Sequence, residues 1–108
     1  MSEELNLKSE VKSILSFIKL ISPGRRVELR VPPFGVIQCV PGGNHRRGTP
    51  ANTVEMSGQT LLALIKEPNL WIEKVSTGQV SASGVYSDLS ALFAQVAAEY
   101  PHTDHPNK

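Results

Sequence analysis

The first hydrophobic pattern in the chain predicts a helix over residues 9–22, with Ser9 as its N-cap. Its apolar residues recur at the 3.6-residue spacing of one helix face, at Val11, Ile14, Leu15, Ile18 and Ile21. Phe17 and Leu20 widen this stripe, which leaves two explanations open. The helix packs on two sides, or it also contacts a partner or, transiently, a membrane surface. The polar residues 1–8 are expected to form a flexible tail.

Two apolar segments follow, and they predict neighbouring strands. Residues 26–31 alternate apolar with charged side chains, as is typical of a half-buried strand. Pro32 and Pro33 donate no backbone hydrogen bond, so the strand must end there or lie at a sheet edge. Residues 35–40 are mostly apolar and predict the second strand. Because the two segments are so close in sequence, we expect an antiparallel hairpin.

The rest of the chain alternates short strands with helices. In chain order it predicts a strand at 53–56, a helix capped by Ser57 and ended before Pro68, a short helix capped by Asn69 and ended at Gly78, a strand at 79–83, and a terminal helix from Ser87 or Asp88 to about Tyr100. Four strands and four helices favour an α+β fold, with a single small mixed sheet and helices packed on one face. The 108 residues are expected to form one domain, with its core over 25–100 and a second flexible tail at 101–108.

Composition narrows the functional classes. Forty per cent apolar and 19% charged residues are ordinary for a soluble globular protein. The net charge of +1 argues against a nucleic-acid or membrane-surface protein, which needs a large basic excess. No run approaches the roughly 20 apolar residues that span a bilayer. The start, MSEELNLKSE, has acidic residues where a signal peptide has basic ones, so we expect a cytoplasmic protein.

Catalytic and metal-binding residue types are present, but no motif organises them. Cys39 is the single cysteine, and its apolar neighbours indicate a buried strand thiol rather than a nucleophile. His45 and Glu55 would form an acid–base pair only if folding brought them together. The C-terminal tail has three metal-ligand residue types whose geometry a Pro-flanked segment does not fix, His102, Asp104 and His105. We therefore expect no enzyme, no cofactor and no metal.

Residues 41–52, PGGNHRRGTPAN, contain no large apolar side chain over twelve positions. A loop of this length within a compact domain is more often functional than not. Its polar side chains would form a gate that holds a carboxylate or phosphate head group, and they are His45, Arg46, Arg47, Thr49 and Asn52. The alternative is that the loop folds back and its arginines pair with Glu28 and Glu55.

The order of motifs in the second half has a counterpart in a known family. Residues 53–93 read TVEMSGQTLLALIKEPNLWIEKVSTGQVSASGVYSDLSALF. This order of strand, two short helices, glycine-bounded strand and terminal helix resembles the second half of the sterol carrier protein fold. The segment before and into it, VELRVPPFGVIQCVPGGNHRRGTPANTVE, is similar to the bacterial sterol carrier ortholog branch in its PP, QC, H and RGTP elements. The resemblance covers about residues 25–95.

In that family the terminal helix closes an apolar tunnel. The resemblance therefore implies a module that holds a lipid or fatty acyl chain in a cavity between sheet and helices, without implying a sterol. The residues that would contact such a ligand are Leu61, Leu64, Ile65, Trp71, Val75, Leu89, Leu92, Phe93 and Val96. An alternative from another class is an accessory interaction domain with a filled core. It would form a homodimer or act on a separate enzyme through its N-terminal helix, since similar domains are fused to mycothiol-dependent isomerases.

Overall fold

The structure is a computed structural model, and it describes residues 2–42 and 52–101 of the chain. Its α-helices are α1 (Ser2–Ile21), α2 (Gly58–Lys66), α3 (Trp71–Ser76) and α4 (Ser90–Glu99). Its strands are β1 (Val27–Val31), β2 (Gly35–Cys39), β3 (Thr53–Met56) and β4 (Val80–Ser83). A 3₁₀ turn, Pro68–Leu70, leads directly into α3. The expected tail at residues 102–108 lies outside the described residues.

The four strands form one mixed sheet in the order β2-β1-β3-β4. The predicted hairpin is confirmed, because β1 and β2 pair antiparallel with Val27 opposite Cys39. β3 lies parallel to β1 on its other side, and β4 pairs antiparallel with β3, with Val54 opposite Ala82. A mixed sheet with four helices confirms the predicted α+β fold.

The helices cover one face of this sheet. On β1, Val27, Leu29 and Val31 alternate toward that face and have no exposed surface. The register places Val54 beside Leu29, and Met56 follows it on the same buried face. α1 packs against β2, and α2 packs against α1 and α4. The alternation seen in the sequence thus corresponds to a single buried layer between sheet and helices.

The other face of the sheet is polar. Arg30 Nε donates a hydrogen bond to Glu28 at 2.7 Å, and Arg30 Nη1 lies 4.0 Å from the Glu55 carboxylate. Ser81 and Ser83 continue this face on β4 and are exposed. The charged partner of Glu28 and Glu55 is therefore Arg30, on the neighbouring position of the same sheet face. The predicted alternative, pairing with the loop arginines, concerns residues outside the described ranges.

α1 begins at Ser2, so the predicted start at Ser9 is wrong. The reason is Leu7, which packs against the core one helical turn before Val11 and extends the apolar stripe. Phe17 makes an edge-to-face contact with Tyr100 at 5.3 Å between ring centroids. α1 therefore packs on two sides, as the first explanation of its wide stripe required. Leu20 is 75% exposed and belongs to neither contact.

Helix boundaries in the second half test the capping predictions. Ser57 caps α2 as predicted, and its hydroxyl accepts the backbone N–H of Thr60 at 3.1 Å. Asn69 does not cap α3, because Pro68 opens a 3₁₀ turn that continues through it. Gly78 follows α3 with a φ of 83°, the left-handed conformation expected just after a helix.

The described helices include none that is long and apolar enough to cross a bilayer. β2 ends at Cys39, one residue earlier than predicted, because Val40 adopts a φ of 74° and leaves the ladder. A positive φ is a rare conformation for a β-branched residue, so Val40 marks a strained position. Its surroundings form part of the candidate site.

Candidate functional site

Most of the predicted ligand-contacting residues lie in the hydrophobic core. Seven of them are buried, and they are Leu61, Leu64, Ile65, Trp71, Leu89, Phe93 and Val96. Leu92 is half-buried and packs against this core. Val75 is exposed on α3 and does not join the core. The structure therefore brings eight of the nine together and leaves Val75 apart.

The core beneath α4 is filled in this conformation. Leu61, Leu64, Phe93 and Val96 have no exposed surface, whereas a side chain lining an open void keeps surface accessible to water. Phe93 stacks on Trp71, with ring centroids 5.9 Å apart and an interplanar angle of 29°. Such contact is typical of a close-packed interior. Ligand contact at these four buried residues stays a prediction.

A cleft opens on a second side of α4, with a volume of about 410 Å³. α4 contributes Ala91, Leu92 and Gln95, and Leu89 just before the helix borders both the core and the cleft. The facing wall comes from the end of α1, the start of β1, the end of β2 and the β4–α4 link, and it consists of Ser22, Arg26, Val40, Val85, Tyr86 and Asp88.

Val40 holds the facing wall in place. Its backbone N–H donates to the Ser22 carbonyl at 2.8 Å, and its carbonyl accepts the Arg26 N–H at 3.2 Å. Gly24, with a φ of 149°, passes so close that a Cβ there would overlap the Val40 carbonyl. These contacts fix the strained backbone of Val40. Strain of this kind costs of order 1–3 kcal/mol and persists only where surrounding structure enforces it.

Arg26 places a cation at the cleft. The centre of its guanidinium lies 4.0 Å from the centroid of the Tyr86 ring, a cation–π contact. Gly42, with a φ of 91°, approaches Nη2 so closely that a Cβ at this position would overlap it. Nε of Arg26 is buried and has no hydrogen-bond partner. Among the described residues, the guanidinium is thus positioned by its contacts with the Tyr86 ring and the Gly42 backbone, and its Nε has no hydrogen-bond partner.

Asn52 supports this arrangement from behind the cleft. It is buried, its side-chain amide donates to the Arg26 carbonyl at 3.0 Å, and its side-chain oxygen accepts the Tyr86 N–H at 2.9 Å. One side chain therefore ties together the two partners of the cation–π contact. Asn52 is the one predicted gate residue within the described ranges. The others, His45, Arg46, Arg47 and Thr49, lie outside them, so the gate stays a prediction.

Asp88 adds a negative charge to the cleft. Its carboxylate accepts the backbone N–H of Ser90 at 2.9 Å, at the start of α4. Hydrogen bonds from Ser90 lower the pKa of the Asp88 carboxyl below its usual value. Asp88 is therefore ionised at neutral pH and is committed to the helix start. The N-cap position of α4 belongs to Leu89, so the predicted N-cap at Ser87 or Asp88 is wrong, although the Asp88 carboxylate accepts the N–H of Ser90, the first helical residue.

Cys39 lies in the core layer on β2 and is fully buried. Burial raises the pKa of its thiol to about 11, so it stays protonated at neutral pH. Glu55, the proposed partner of His45, lies on the polar sheet face beside Arg30, away from the cleft. Over residues 2–42 and 52–101 there is no cluster of three metal-ligand residue types.

Of the ten residues that line the cleft, the sequence analysis named Leu89 and Leu92 as ligand contacts and missed eight, and they are Ser22, Arg26, Val40, Val85, Tyr86, Asp88, Ala91 and Gln95. Arg26 was read as part of an alternating strand. A usable signal was the pair Val85-Tyr86, two large side chains in a link between Gly84 and Ser87. Apolar residues in a short exposed link have no core to enter, which is typical of a binding surface.

Comparison with known proteins gives one finding. A family model described as Bacterial SCP ortholog matches residues 3–94. Among curated proteins none matches the chain. The matched stretch contains the whole sheet, the helices α1, α2 and α3, and the first half of α4. It also contains every side chain that lines the cleft except Gln95.

Proposed function

Because the chain belongs to the bacterial SCP ortholog family, a sterol carrier protein family, we propose that it binds a hydrophobic small molecule and that the cleft beside α4 receives that molecule's apolar chain. The observation that carries the proposal is the cleft itself. Its volume of about 410 Å³ lies within the roughly 300–1,000 Å³ of small-molecule sites. Six of its ten lining residues are aliphatic or aromatic, and the other four are polar or charged, namely Ser22, Arg26, Asp88 and Gln95.

Exposed apolar surface at the cleft supports the proposal. Val85 is 90% exposed and Tyr86 is 53% exposed, although both adjoin the half-buried Leu92 across the cleft. An acyl chain lying between them would cover this surface. Each methylene that leaves water contributes about 0.8 kcal/mol, so a chain that buries five or six of them gains about 4–5 kcal/mol, which corresponds to a Kd of roughly 0.3–1 mM. The expected role is that of a carrier, with no chemical step and a cytoplasmic location.

The cleft also explains how a filled core and a binding function coexist. Residues on the core side of α4 stay packed, so the protein does not depend on ligand for its fold. The ligand instead gains its affinity from side chains that are exposed without it. This differs from a tunnel between sheet and helix, which would leave Phe93 and Val96 partly uncovered in the empty protein.

An accessory interaction domain is the second candidate. On α1, Leu5 and Leu20 are exposed, but fifteen residues separate them, which is about 22 Å along the helix, so they form no common patch. A more compact apolar surface lies on α3, where Ile72 and Val75 are exposed one turn apart. This pair is the observation that favours protein contact.

The test uses decanoate and decanol as probes, with calorimetric titration and thermal unfolding of the full chain. We expect saturable 1:1 binding and a higher Tm, because ligand at 100 times its Kd stabilises the folded state by about 2.7 kcal/mol. Ala91→Trp should fill the cleft and weaken binding at least about tenfold. Ala98→Trp is the control, at an exposed alanine two turns further along the same helix that does not line the cleft, and it should bind normally.

Two results would count against the carrier proposal. Absence of binding by either probe would favour the accessory domain. Equal binding by wild type and Ala91→Trp would show that ligand enters elsewhere, and the core between α4 and the sheet would then be the first alternative.

A further inference from the structure

Resting on the proposed function, we infer that the ligand is an acyl carboxylate, whose head group accepts hydrogen bonds from the guanidinium of Arg26. The starting point is the state of that guanidinium without ligand. Its Nε is buried and unpartnered, and among the described residues no carboxylate lies within 4 Å of it. A buried donor left unpaired costs about 1–3 kcal/mol, and more when it is charged. Most buried donors in native structures have a partner, so this group calls for one.

The guanidinium is positioned before a ligand arrives. Tyr86 covers one of its faces, and the absence of a side chain at Gly42 lets the backbone approach Nη2. Asn52 holds the backbone of both Arg26 and Tyr86. A planar, pre-positioned guanidinium matches the two oxygens of a carboxylate, which it binds through two parallel hydrogen bonds. Little side-chain freedom remains to be lost on binding.

Charge selects the kind of anion. The cleft walls include one cation, Arg26, and one anion, Asp88. The Asp88 carboxylate accepts a hydrogen bond from Ser90 at the start of α4, and within residues 2–42 and 52–101 no carboxylate forms an ion pair with Arg26. A single negative charge on the ligand neutralises Arg26. A phosphate would add a second charge in the vicinity of Asp88, and like charges repel. A monoanionic carboxylate therefore fits best.

The ligand geometry follows from the same residues. Arg26, Val40 and Tyr86 lie on one wall, and the α4 residues Ala91, Leu92 and Gln95 lie on the other. A carboxylate at Arg26 starts the chain between the two walls, where Val40 and Leu92 provide apolar contact. The amphiphile is then bound at both its ends, with selectivity at the head group and most of the affinity in the chain.

The experiment compares head groups on one chain length. Calorimetry measures Kd for decanoate, decanol and decyl phosphate with wild type, Arg26→Met and Arg25→Met. Decanoate is expected to bind wild type about 10- to 100-fold more tightly than decanol, the range for hydrogen bonds to a charged group. Arg26→Met keeps an unbranched stem but lacks the guanidinium, and it should abolish this preference. Arg25 is exposed and does not line the cleft, so Arg25→Met should keep the preference.

Each other outcome identifies what has failed. Equal Kd values for decanoate and decanol in wild type, or a preference that survives in Arg26→Met, would overturn the Arg26 assignment while the carrier proposal stands. Tighter binding of decyl phosphate would overturn the carboxylate. Absence of binding by every probe would overturn the carrier proposal and this inference with it. If Arg26→Met does not fold, as judged by its Tm, the wild-type comparison and Arg26→Lys, which keeps the charge without the planar fork, decide the matter.

Discussion

The two sides of α4 differ in what they contact. The core side, formed by Phe93, Val96 and the flanking Leu89 and Tyr100, is buried against α2, Trp71 and α1. The cleft side, formed by Ala91, Leu92 and Gln95, faces the cleft, whose volume is about 410 Å³. Both sides are largely apolar. The difference teaches that hydrophobicity alone does not separate core from binding surface in a helix this short.

The size of the side chains explains much of this difference. On the core side a large ring, Phe93, reaches Trp71 and fills the available space. On the cleft side the small Ala91 leaves room that the opposing Val85 and Tyr86 do not occupy. A helix can thus stabilise the fold with one stripe and present a ligand surface with the next. The predictions below test whether the two sides are as independent as this.

The largest effect is expected on the core side. Phe93→Ala should lower the free energy of unfolding by about 3–5 kcal/mol, because it removes a fully buried ring and leaves a cavity. Leu92→Ala is the matched change on the cleft side and should cost about 1 kcal/mol, since Leu92 is only half-buried. Urea unfolding of both variants measures the difference. Equal losses would mean that Leu92 is part of the core.

Substitutions in the wall opposite α4 should cause the next largest losses of stability. Gly24→Ala should cost about 3 kcal/mol, because its φ of 149° disfavours alanine and the new Cβ overlaps the Val40 carbonyl. Gly78→Ala is the control, with a left-handed φ of 83° and open space around it, and should cost about 1 kcal/mol. A Gly24→Ala variant as stable as Gly78→Ala would show that the wall yields easily, and a pre-formed cleft would lose its support.

Asn52 connects Arg26 at the start of β1 with Tyr86 in the β4–α4 link. Its removal should therefore loosen the cleft more than the core. Asn52→Ala leaves the Arg26 carbonyl and the Tyr86 N–H without their partner and should cost about 2 kcal/mol. Amide hydrogen exchange should accelerate at Tyr86 while Phe93 stays protected. Uniform acceleration across both residues would contradict the separation of the two regions.

The smallest effect on the free energy of unfolding is expected from the titration of Cys39, which is buried in the core layer. The thiol of Cys39 has its pKa raised from 9.0 to about 11 by burial, so the folded state binds more protons than the unfolded state between these values. Stability is therefore complete below pH 9 and falls as pH rises through that interval, by about 1 kcal/mol at pH 10. Cys39→Ala should lack this part of the decline in unfolding measurements across pH 8–11. Identical pH dependence in both proteins would mean that the thiol reaches solvent.

Much of the fold followed from the sequence because its elements carry strong local signals. The period-2 pattern of β1 and the helical stripe around Val11 predicted both the elements and their buried faces. The family resemblance drawn from residues 25–95 is confirmed by the match over 3–94. The capping prediction at Asn69 failed because Pro68 favoured a tighter turn, a competition between two local signals.

Local sequence patterns did not predict the cleft. Arg26, Val40 and Tyr86 meet only through tertiary contacts, and Arg26 and Tyr86 lie 60 positions apart in the sequence. The positive φ of Val40 has no sequence signal, since β-branched residues disfavour it. The apolar stripe of the last helix was predicted correctly, but whether each residue faces core or cleft depends on what packs opposite.

The most direct test of the account is a two-dimensional amide NMR titration of the ¹⁵N-labelled protein with decanoate. The account predicts that shifts concentrate at Val40, Tyr86, Ala91 and Leu92, with the amides of Leu61, Leu64 and Trp71 nearly unchanged. If the largest shifts occurred at Leu61, Leu64 and Trp71 instead, the account would be contradicted, because the ligand would then lie inside the core beneath α4.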